Sequence, residues 1–227
     1  MKRKLLTAGF LALFAITRPA AAGTSVSGKV KVTGRAAGAV VTTIVYAEPV
    51  QEKAPTAPKH YQLLQKNKSF SPRVLAVPVG STVEFINEDP IFHNVFSLSP
   101  PSPFDLGLYK AGKSKTRTFS EPALYRVFCN IHPQMTAVIL VVATPYITEA
   151  DAAGNYLLEL PPGRYRITAW NERSHQATAE VAVPGSGATA PDLTLDESQF
   201  VELPHKNKYG EEYLKKGNEY EYPQLQR

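Results

Sequence analysis

Cysteine and methionine are almost absent from this 227-residue chain, which has one cysteine, Cys129, and one methionine besides Met1, namely Met135. A single cysteine excludes an intramolecular disulfide framework, and it excludes covalent haem attachment, which needs Cys-x-x-Cys-His. A structural zinc site would normally show two or more cysteines among four closed ligands. Any sulfur chemistry in this chain therefore depends on Cys129, Met135 or both.

An excess of charge of one sign is also absent once the first residues are set aside. The formal net charge is +5, with 25 basic and 20 acidic residues. Four of the basic residues are Lys2, Arg3, Lys4 and Arg18, so removing them leaves 21 basic residues (25 − 4) against 20 acidic ones. A nucleic-acid partner therefore has no electrostatic support.

The sequence lacks an apolar run long enough to span a membrane. Residues 2–4 are basic, residues 5–16 are largely apolar, and three alanines at 20–22 precede Gly23. The apolar run is shorter than the roughly 20 residues that a spanning helix needs. The pattern is typical of a secretory signal peptide, residues 1–22, cleaved after Ala22. We therefore expect export to the periplasm and no membrane span.

The two sulfur-containing residues lie on one short segment, residues 128–135, which we call the ligand loop. In it Cys129, His132 and Met135 are separated by two residues on each side of His132. A thiolate, an imidazole and a thioether form the soft ligand set that selects copper. An unpaired thiol is a liability in an oxidising compartment unless it is sequestered, and metal ligation would explain the presence of Cys129.

A copper site of this kind needs a second imidazole, and His93 is the candidate. It follows a polar turn, residues 87–90, and begins an apolar β-type run, so we expect it at a strand end. Further strands are predicted over residues 115–119, 124–128 and 136–142. The ligand loop would then connect the last two of these strands.

From about Leu63 to Val142 the sequence resembles the cupredoxins, the plastocyanin, pseudoazurin and amicyanin group of type 1 copper proteins. The features that follow one another in the family's order are Phe70-Ser71-Pro72, the hairpin at residues 79–83, Asn87, His93-Asn94-Val95 and the ligand loop. The two-residue gaps around His132, with Pro133 directly after it, are most like amicyanin. The region is similar to cupredoxins of the methylamine-utilisation type.

This resemblance implies one type 1 copper ion, with His93, Cys129 and His132 as strong ligands and Met135 as a long axial ligand. It also implies that Asn94 hydrogen-bonds toward the ligand loop and braces the two ligand segments. The ring edge of His132 would reach the surface as the electron port. An apolar shell would be formed by Phe92, Phe96, Phe128, Ile131 and Pro133. No catalytic residue is implied.

The stretches on either side of this region alternate apolar with polar side chains, the period-2 sign of half-buried strands. Strands are predicted over residues 25–32, 38–46, 151–160, 161–170 and 181–183. With the Asp151-x-x-Gly154 turn and the Pro161-Pro162-Gly163-x-Tyr165 corner, these stretches resemble the carboxypeptidase regulatory-like module, a small transthyretin-like β-sandwich. In that family the second strand leads quickly to the Asp-x-x-Gly turn, whereas the cupredoxin-like region intervenes here.

We therefore predict an all-β protein in which a Greek-key cupredoxin sandwich, residues 49–144, is inserted into a second small β-sandwich. The host sandwich is split between residues 23–48 and 145–198. A polar C-terminal tail, residues 199–227, is expected to be mobile or loosely packed, with docking of its tyrosines on a partner as the alternative. The oligomeric state is left open.

Three functions are compatible with these features. The first is an electron carrier between periplasmic redox enzymes, with a dehydrogenase or cytochrome of unidentified kind as its partner. The second is a copper-binding or copper-delivery protein without an electron-transfer role, and the third is a structural sandwich with a relict metal loop. An enzyme is not expected, because copper oxidases and nitrite reductases need additional copper centres. His60, His175 and His205 are scattered without ligand spacing.

Overall fold

The computed structural model describes residues 23–202, 204–216 and 219–221. The predicted signal peptide, residues 1–22, lies outside the described residues. Within the described ranges every regular element is a strand, so the predicted all-β class is confirmed. The same ranges contain no helix that is long and apolar enough to cross a membrane.

The described residues form nineteen strands. The first two are β1 (Thr24–Thr33) and β2 (Ile44–Pro49). Nine strands follow in the middle of the chain: β3 (His60–Lys66), β4 (Ser69–Ser71), β5 (Val74–Pro78), β6 (Thr82–Asn87), β7 (His93–Ser97), β8 (Phe104–Tyr109), β9 (Ser114–Thr118), β10 (Ala123–Phe128) and β11 (Thr136–Val142). The remaining strands are β12 (Ile147–Glu149), β13 (Asn155–Leu160), β14 (Gly163–Trp170), β15 (Ala177–Val183), β16 (Ala188–Thr189), β17 (Leu193–Asp196), β18 (Leu214–Lys216) and β19 (Glu219–Glu221).

Strands β3 to β11 form two sheets, which we call the central sandwich. One sheet has the order β4-β3-β6-β9 and the other the order β5-β11-β10-β7-β8. Consecutive strands cross from one sheet to the other at β4 to β5, β5 to β6, β6 to β7, β8 to β9 and β9 to β10. This crossing places β7 and β10 side by side in one sheet although they are distant in sequence.

The interior of the central sandwich is filled by alternate side chains of both sheets. Strand β6 shows the reason, because Val83, Phe85 and Asn87 point inward while the residues between them are partly exposed. Burial of alternate apolar side chains is what holds two packed sheets together. The same core contains Cys129 and Met135, so the ends of the ligand loop are part of the packed interior.

Strand β11 is buried on both faces. Its alternate residues Ala137, Ile139 and Val141 belong to the core of the central sandwich. The other face packs in a second apolar layer, formed by Ile44, Tyr46, Val74, Val138, Leu140, Val142 and Trp170. An unbroken apolar run is typical of a strand covered on both sides, which explains the sequence of residues 137–142.

Strands β1, β2 and β12 to β17 form two further sheets, which we call the flanking sandwich, while β18 and β19 pair only with each other. Strand β1 pairs with β13, β16 and β17, and the other sheet has the order β12-β2-β14-β15. Their common core is apolar and includes Val26, Val45, Leu158 and Ile167. The predicted partnership of the second strand with residues 165–170 is present, because β2 pairs with β14 from Ile44 opposite Trp170 to Pro49 opposite Tyr165.

The second strand begins later than predicted, at Ile44 and not at residue 38. Its neighbours β12 and β14 both begin their pairing with β2 at Ile44, so the preceding residues face no strand. Val40 is accordingly 97% exposed. The third predicted strand also starts late, because Asp151 accepts the amides of Ala153 and Asn155 in a turn before β13.

The division of the chain into an inserted and a host domain stays a prediction. It is supported by the pairing of β2 with β12, in which Tyr46 lies opposite Ile147. The chain thus leaves the flanking sandwich after β2 and returns to it beside the same strand. The resemblance of this sandwich to the carboxypeptidase regulatory-like module likewise stays a prediction.

Candidate metal centre

The ligand loop is a tight connection between two adjacent antiparallel strands. Phe128 at the end of β10 lies opposite Thr136 at the start of β11. Inside the loop the amide of Cys129 donates to the Met135 carbonyl at 3.2 Å, and the amide of Met135 donates to the His132 carbonyl at 2.9 Å. These bonds fold the loop back on itself and hold the backbones of Cys129 and Met135 next to each other.

His93 comes to this loop from another strand. It is the first residue of β7, which is buried along its whole length. Strand β7 lies next to β10, with Phe96 opposite Phe128. Strand neighbours in a sheet are less than about 6 Å apart, so His93 reaches the loop without an unusual backbone conformation.

Three of the four predicted ligands converge. The Cys129 Sγ lies 3.9 Å from His93 Nδ1 and 3.7 Å from His132 Nδ1. The three donor atoms all lie within 4.8 Å of one another. The two imidazole rings meet edge to face, with centroids 4.9 Å apart. This donor set fits copper, because a thiolate with two imidazoles is the equatorial set of a blue-copper site.

Met135 is fully buried in the core of the central sandwich. Its backbone closes the ligand loop through the bonds to Cys129 and His132. Its role as the axial ligand stays a prediction.

In the predicted apolar shell Phe96 is fully buried and packs with Phe128, with ring centroids 5.8 Å apart. Phe92 instead is 56% exposed, so it contributes surface and not interior.

Burial governs the protonation of the donor atoms. It raises the pKa of the Cys129 thiol, although backbone hydrogen bonds from Asn94, Ile131 and His132 oppose this rise. Burial and the neighbouring His93 lower the pKa of His132 to about 4. The His132 ring is therefore neutral near pH 7 and offers a lone pair to a metal, whereas the thiol needs a metal to stabilise its thiolate.

The outer nitrogen of His93 is held by Asp89, a residue that sequence analysis assigned only to a turn. Its Oδ2 lies 2.8 Å from His93 Nε2, and its side chain is almost completely buried. Asp89 is fixed in turn by the amides of Asn67 and Lys68, at 2.6 and 2.8 Å. With Nε2 engaged by the carboxylate, Nδ1 of His93 is left to face Cys129. A carboxylate behind a ligating histidine fixes its tautomer and ring orientation.

We expect Asp89→Ala to weaken copper binding by about 10- to 100-fold, the usual effect of removing such a partner. Asp89→Asn, which keeps an acceptor oxygen but loses the charge, should have an intermediate effect. The measurement is a competitive titration of copper against a chelator. Glu88→Ala is the matched control, because Glu88 is exposed in the same turn and pairs with Lys66 instead of a ligand. Equal affinities for Asp89→Ala and Glu88→Ala would contradict the role given to Asp89.

The predicted brace by Asn94 is confirmed. Its Oδ1 accepts the amide of Asn130 in the ligand loop at 3.3 Å. Its Nδ2 donates to Asp105 Oδ1 on the neighbouring strand β8 at 2.7 Å. One amide side chain thus links the loop to the strand that carries His93 and to the strand beside it.

The expectation of a loosely packed C-terminal tail is wrong for residues 204–213. His205 Nε2 donates to the Pro133 carbonyl at 2.5 Å, and the Tyr213 hydroxyl donates to the Cys129 carbonyl at 3.1 Å. His205 has no ligand spacing in the sequence and does not belong to the donor cluster of His93, Cys129 and His132, yet it contacts the ligand loop. Sequence reasoning missed these contacts because the tail is polar and has no clear period.

No family model matches this chain, and no curated protein matches it. Solved structures similar to part of it include a Cu-containing nitrite reductase from Thermus scotoductus SA-01, at 33% identity over 42% of this chain with a TM-score of 0.36. A purple cupredoxin from Nitrosopumilus maritimus matches 36% of this chain at 24% identity with a TM-score of 0.34. A mutant amicyanin in its Cu(I) form matches 43% at 21% identity with a TM-score of 0.35.

The match covers 99% of the purple cupredoxin chain and 99% of the amicyanin chain. It covers 25% of the nitrite reductase chain, so this protein spans about a quarter of that enzyme's length. Over less than half of its own length, this chain is similar to these three proteins.

Proposed function

We propose that this protein is a periplasmic electron carrier with one type 1 copper ion, held by His93, Cys129 and His132 with Met135 as a weak axial ligand. The observation that carries the proposal is the convergence of a buried Cys129 Sγ on the Nδ1 atoms of both histidines. A thiolate, two imidazoles and a long axial thioether are the donor set of electron-transfer copper sites.

The way in which the ligands are held supports electron transfer over catalysis. Bound copper would supply a one-electron couple, whose potential depends on the axial ligand and on the apolar surroundings of the sulfur. Asp89 fixes the His93 ring, and Asn94 ties the ligand loop to β7. Ligands held in this way move little between two oxidation states, which keeps the barrier to electron transfer low.

A redox protein, such as a dehydrogenase or a cytochrome, is the proposed partner. Of the three clustered side chains, those of His93 and Cys129 are fully buried and that of His132 is partly exposed. His132 therefore offers the shortest route from the site to the surface. The exposed ring of Phe92, next to His93 in sequence, adds apolar surface at the end of the sandwich where His93 lies.

Copper delivery without electron transfer is the alternative function. A delivery protein has to release its metal readily, so its ligands are usually exposed. The burial of Cys129 and His93 and the presence of a single methionine after Met1 favour the electron carrier.

Voltammetry of the copper-loaded protein separates these two functions. An electron carrier should show a reversible one-electron couple and should transfer its copper slowly to a chelator. Irreversible reduction, or copper transfer as fast as mixing, would instead favour delivery. Fractionation of the producing cell, with the full-length chain, tests the periplasmic location independently.

A further inference from the structure

Residues 204–213, which we call the strap, lie against the ligand loop from outside both sandwiches. Two of their side chains bond to loop carbonyls next to predicted ligands. His205 donates to the carbonyl of Pro133, which follows His132, and Tyr213 donates to the carbonyl of Cys129 itself. The two bonds hold the loop near both of its ends.

Aromatic packing reinforces these bonds. The His205 ring stacks on Phe128, with centroids 4.1 Å apart and an angle of 17° between the planes. The Tyr213 ring also packs against His205, edge to face, with centroids 5.2 Å apart. Phe128 is the last residue of β10, so the stack fixes the strap at the point where the chain enters the loop.

A closed ring of hydrogen bonds connects the strap to the strands behind the site. The Lys208 amide donates to Asn130 Oδ1 at 2.9 Å, and the Lys208 Nζ lies 2.7 Å from Asp105 Oδ2. Asn130 and Asp105 are already joined through the two ends of the Asn94 side chain. The strap, the ligand loop and strands β7 and β8 are thus linked in one network.

The strap has local structure of its own. Asn207 is buried, and its Oδ1 accepts the amides of Tyr209 and Glu211 at 2.9 and 3.0 Å. Its backbone amide donates to the Glu211 carbonyl at 2.9 Å. A turn stabilised in this way presents Lys208 to the loop without a large loss of conformational entropy on docking.

We propose that the strap is a positioning element of the copper site, which holds the ligand loop in its ligating conformation and slows the loss of metal. The ligand loop has to open for Cys129 and His132 to separate. Opening must break the strap bonds to Cys129 and Pro133 and disturb the stack on Phe128. This role rests on the proposed copper function, and its partner is a segment of the same chain.

The test compares His205→Ala, Tyr213→Phe and the double variant with the unaltered full-length protein. Tyr213→Phe removes one oxygen and leaves the ring, so it keeps the protein folded if His205→Ala does not. His175→Ala and Tyr146→Phe are matched controls, because His175 is exposed and Tyr146 packs against the core of the flanking sandwich. Two readouts are needed: amide hydrogen exchange at Cys129 and Met135 in metal-free protein, and the rate of Cu(I) transfer to a chelator.

We expect each strap variant to speed exchange of the two loop amides by about fivefold, the effect of losing one ordinary hydrogen bond. The double variant should speed it more, and copper transfer should accelerate by about tenfold. The controls should match the unaltered protein in both readouts. Unchanged amide exchange, or faster exchange with unchanged copper transfer, would overturn the proposal. A protein that binds no copper would refute the proposed function. Amide exchange needs no metal, so in that case it would still test whether the strap stabilises the ligand loop.

Discussion

Cys129→Ser should abolish the colour of the Cu(II)-loaded protein while leaving its fold intact. The unaltered protein should be intensely blue or green, because charge transfer from a thiolate to Cu(II) absorbs strongly in the visible range. Serine has nearly the same size as cysteine, so the buried position is filled, but an alkoxide is not available near pH 7 to replace the thiolate. The measurement is the visible absorption spectrum at known copper occupancy, with far-ultraviolet circular dichroism as the test of folding.

Gln134→Ala is the matched control for this experiment, because Gln134 is exposed on the same loop. It should keep both copper and colour. A colourless protein at full Cu(II) occupancy, before any substitution, would refute the type 1 site. Loss of colour in Gln134→Ala would show that any disturbance of the loop, and not loss of the thiolate, removes the absorption.

Met135→Leu and His93→Ala should have opposite consequences for the metal. A weak axial thioether stabilises Cu(II) more than Cu(I), so Met135→Leu should keep copper and colour and raise the reduction potential. Leucine has a similar volume, and such swaps in a core usually cost less than about 1.5 kcal/mol of folding stability. His93→Ala removes an equatorial bond and should lower copper affinity far more. Voltammetry and copper titration of the two variants provide the comparison.

The contrast between these variants also tests the assignment of Met135. Loss of copper in Met135→Leu as complete as in His93→Ala would show that the thioether is a principal ligand. A methionine-dependent delivery site would then explain the protein better than an electron carrier. An unchanged potential with copper retained would place the Met135 sulfur outside the coordination sphere.

The ligand loop could be predicted from the sequence because its chemistry is local. Cys129, His132 and Met135 lie within one connection between two strands, and residues 124–128 and 136–142 carry a clear strand pattern. His93 was identified by its place at the start of an apolar run and by the cupredoxin resemblance. Period-2 alternation predicts the flanking strands, and the turn motifs that resemble the carboxypeptidase regulatory-like module predict that β2 shares a sandwich with residues 165–170. Strand ends such as the start of β2 could not be predicted, because they depend on where the partner strands begin.

Asp89 and the strap could not be predicted, because their roles depend on contacts between distant segments. The composition of residues 87–90 predicts a turn, but no feature of the neighbouring sequence predicts that the Asp89 carboxylate contacts a histidine nitrogen. The strap bonds largely to backbone carbonyls, such as that of Cys129, and any residue type presents a carbonyl. A pattern of side chains therefore carries no signal for such a contact.

The double burial of β11 has a consequence for anyone who wishes to produce the copper-site region alone. Cut out at residues 49–144, the central sandwich would lose the cover that Ile44, Tyr46 and Trp170 provide. Val74, Val138, Leu140 and Val142 would then form a contiguous apolar patch in water, and such patches promote aggregation. The isolated fragment would need polar replacements at these four positions to remain in solution. All four positions lie on the face of the sheet that is turned away from the ligand cluster.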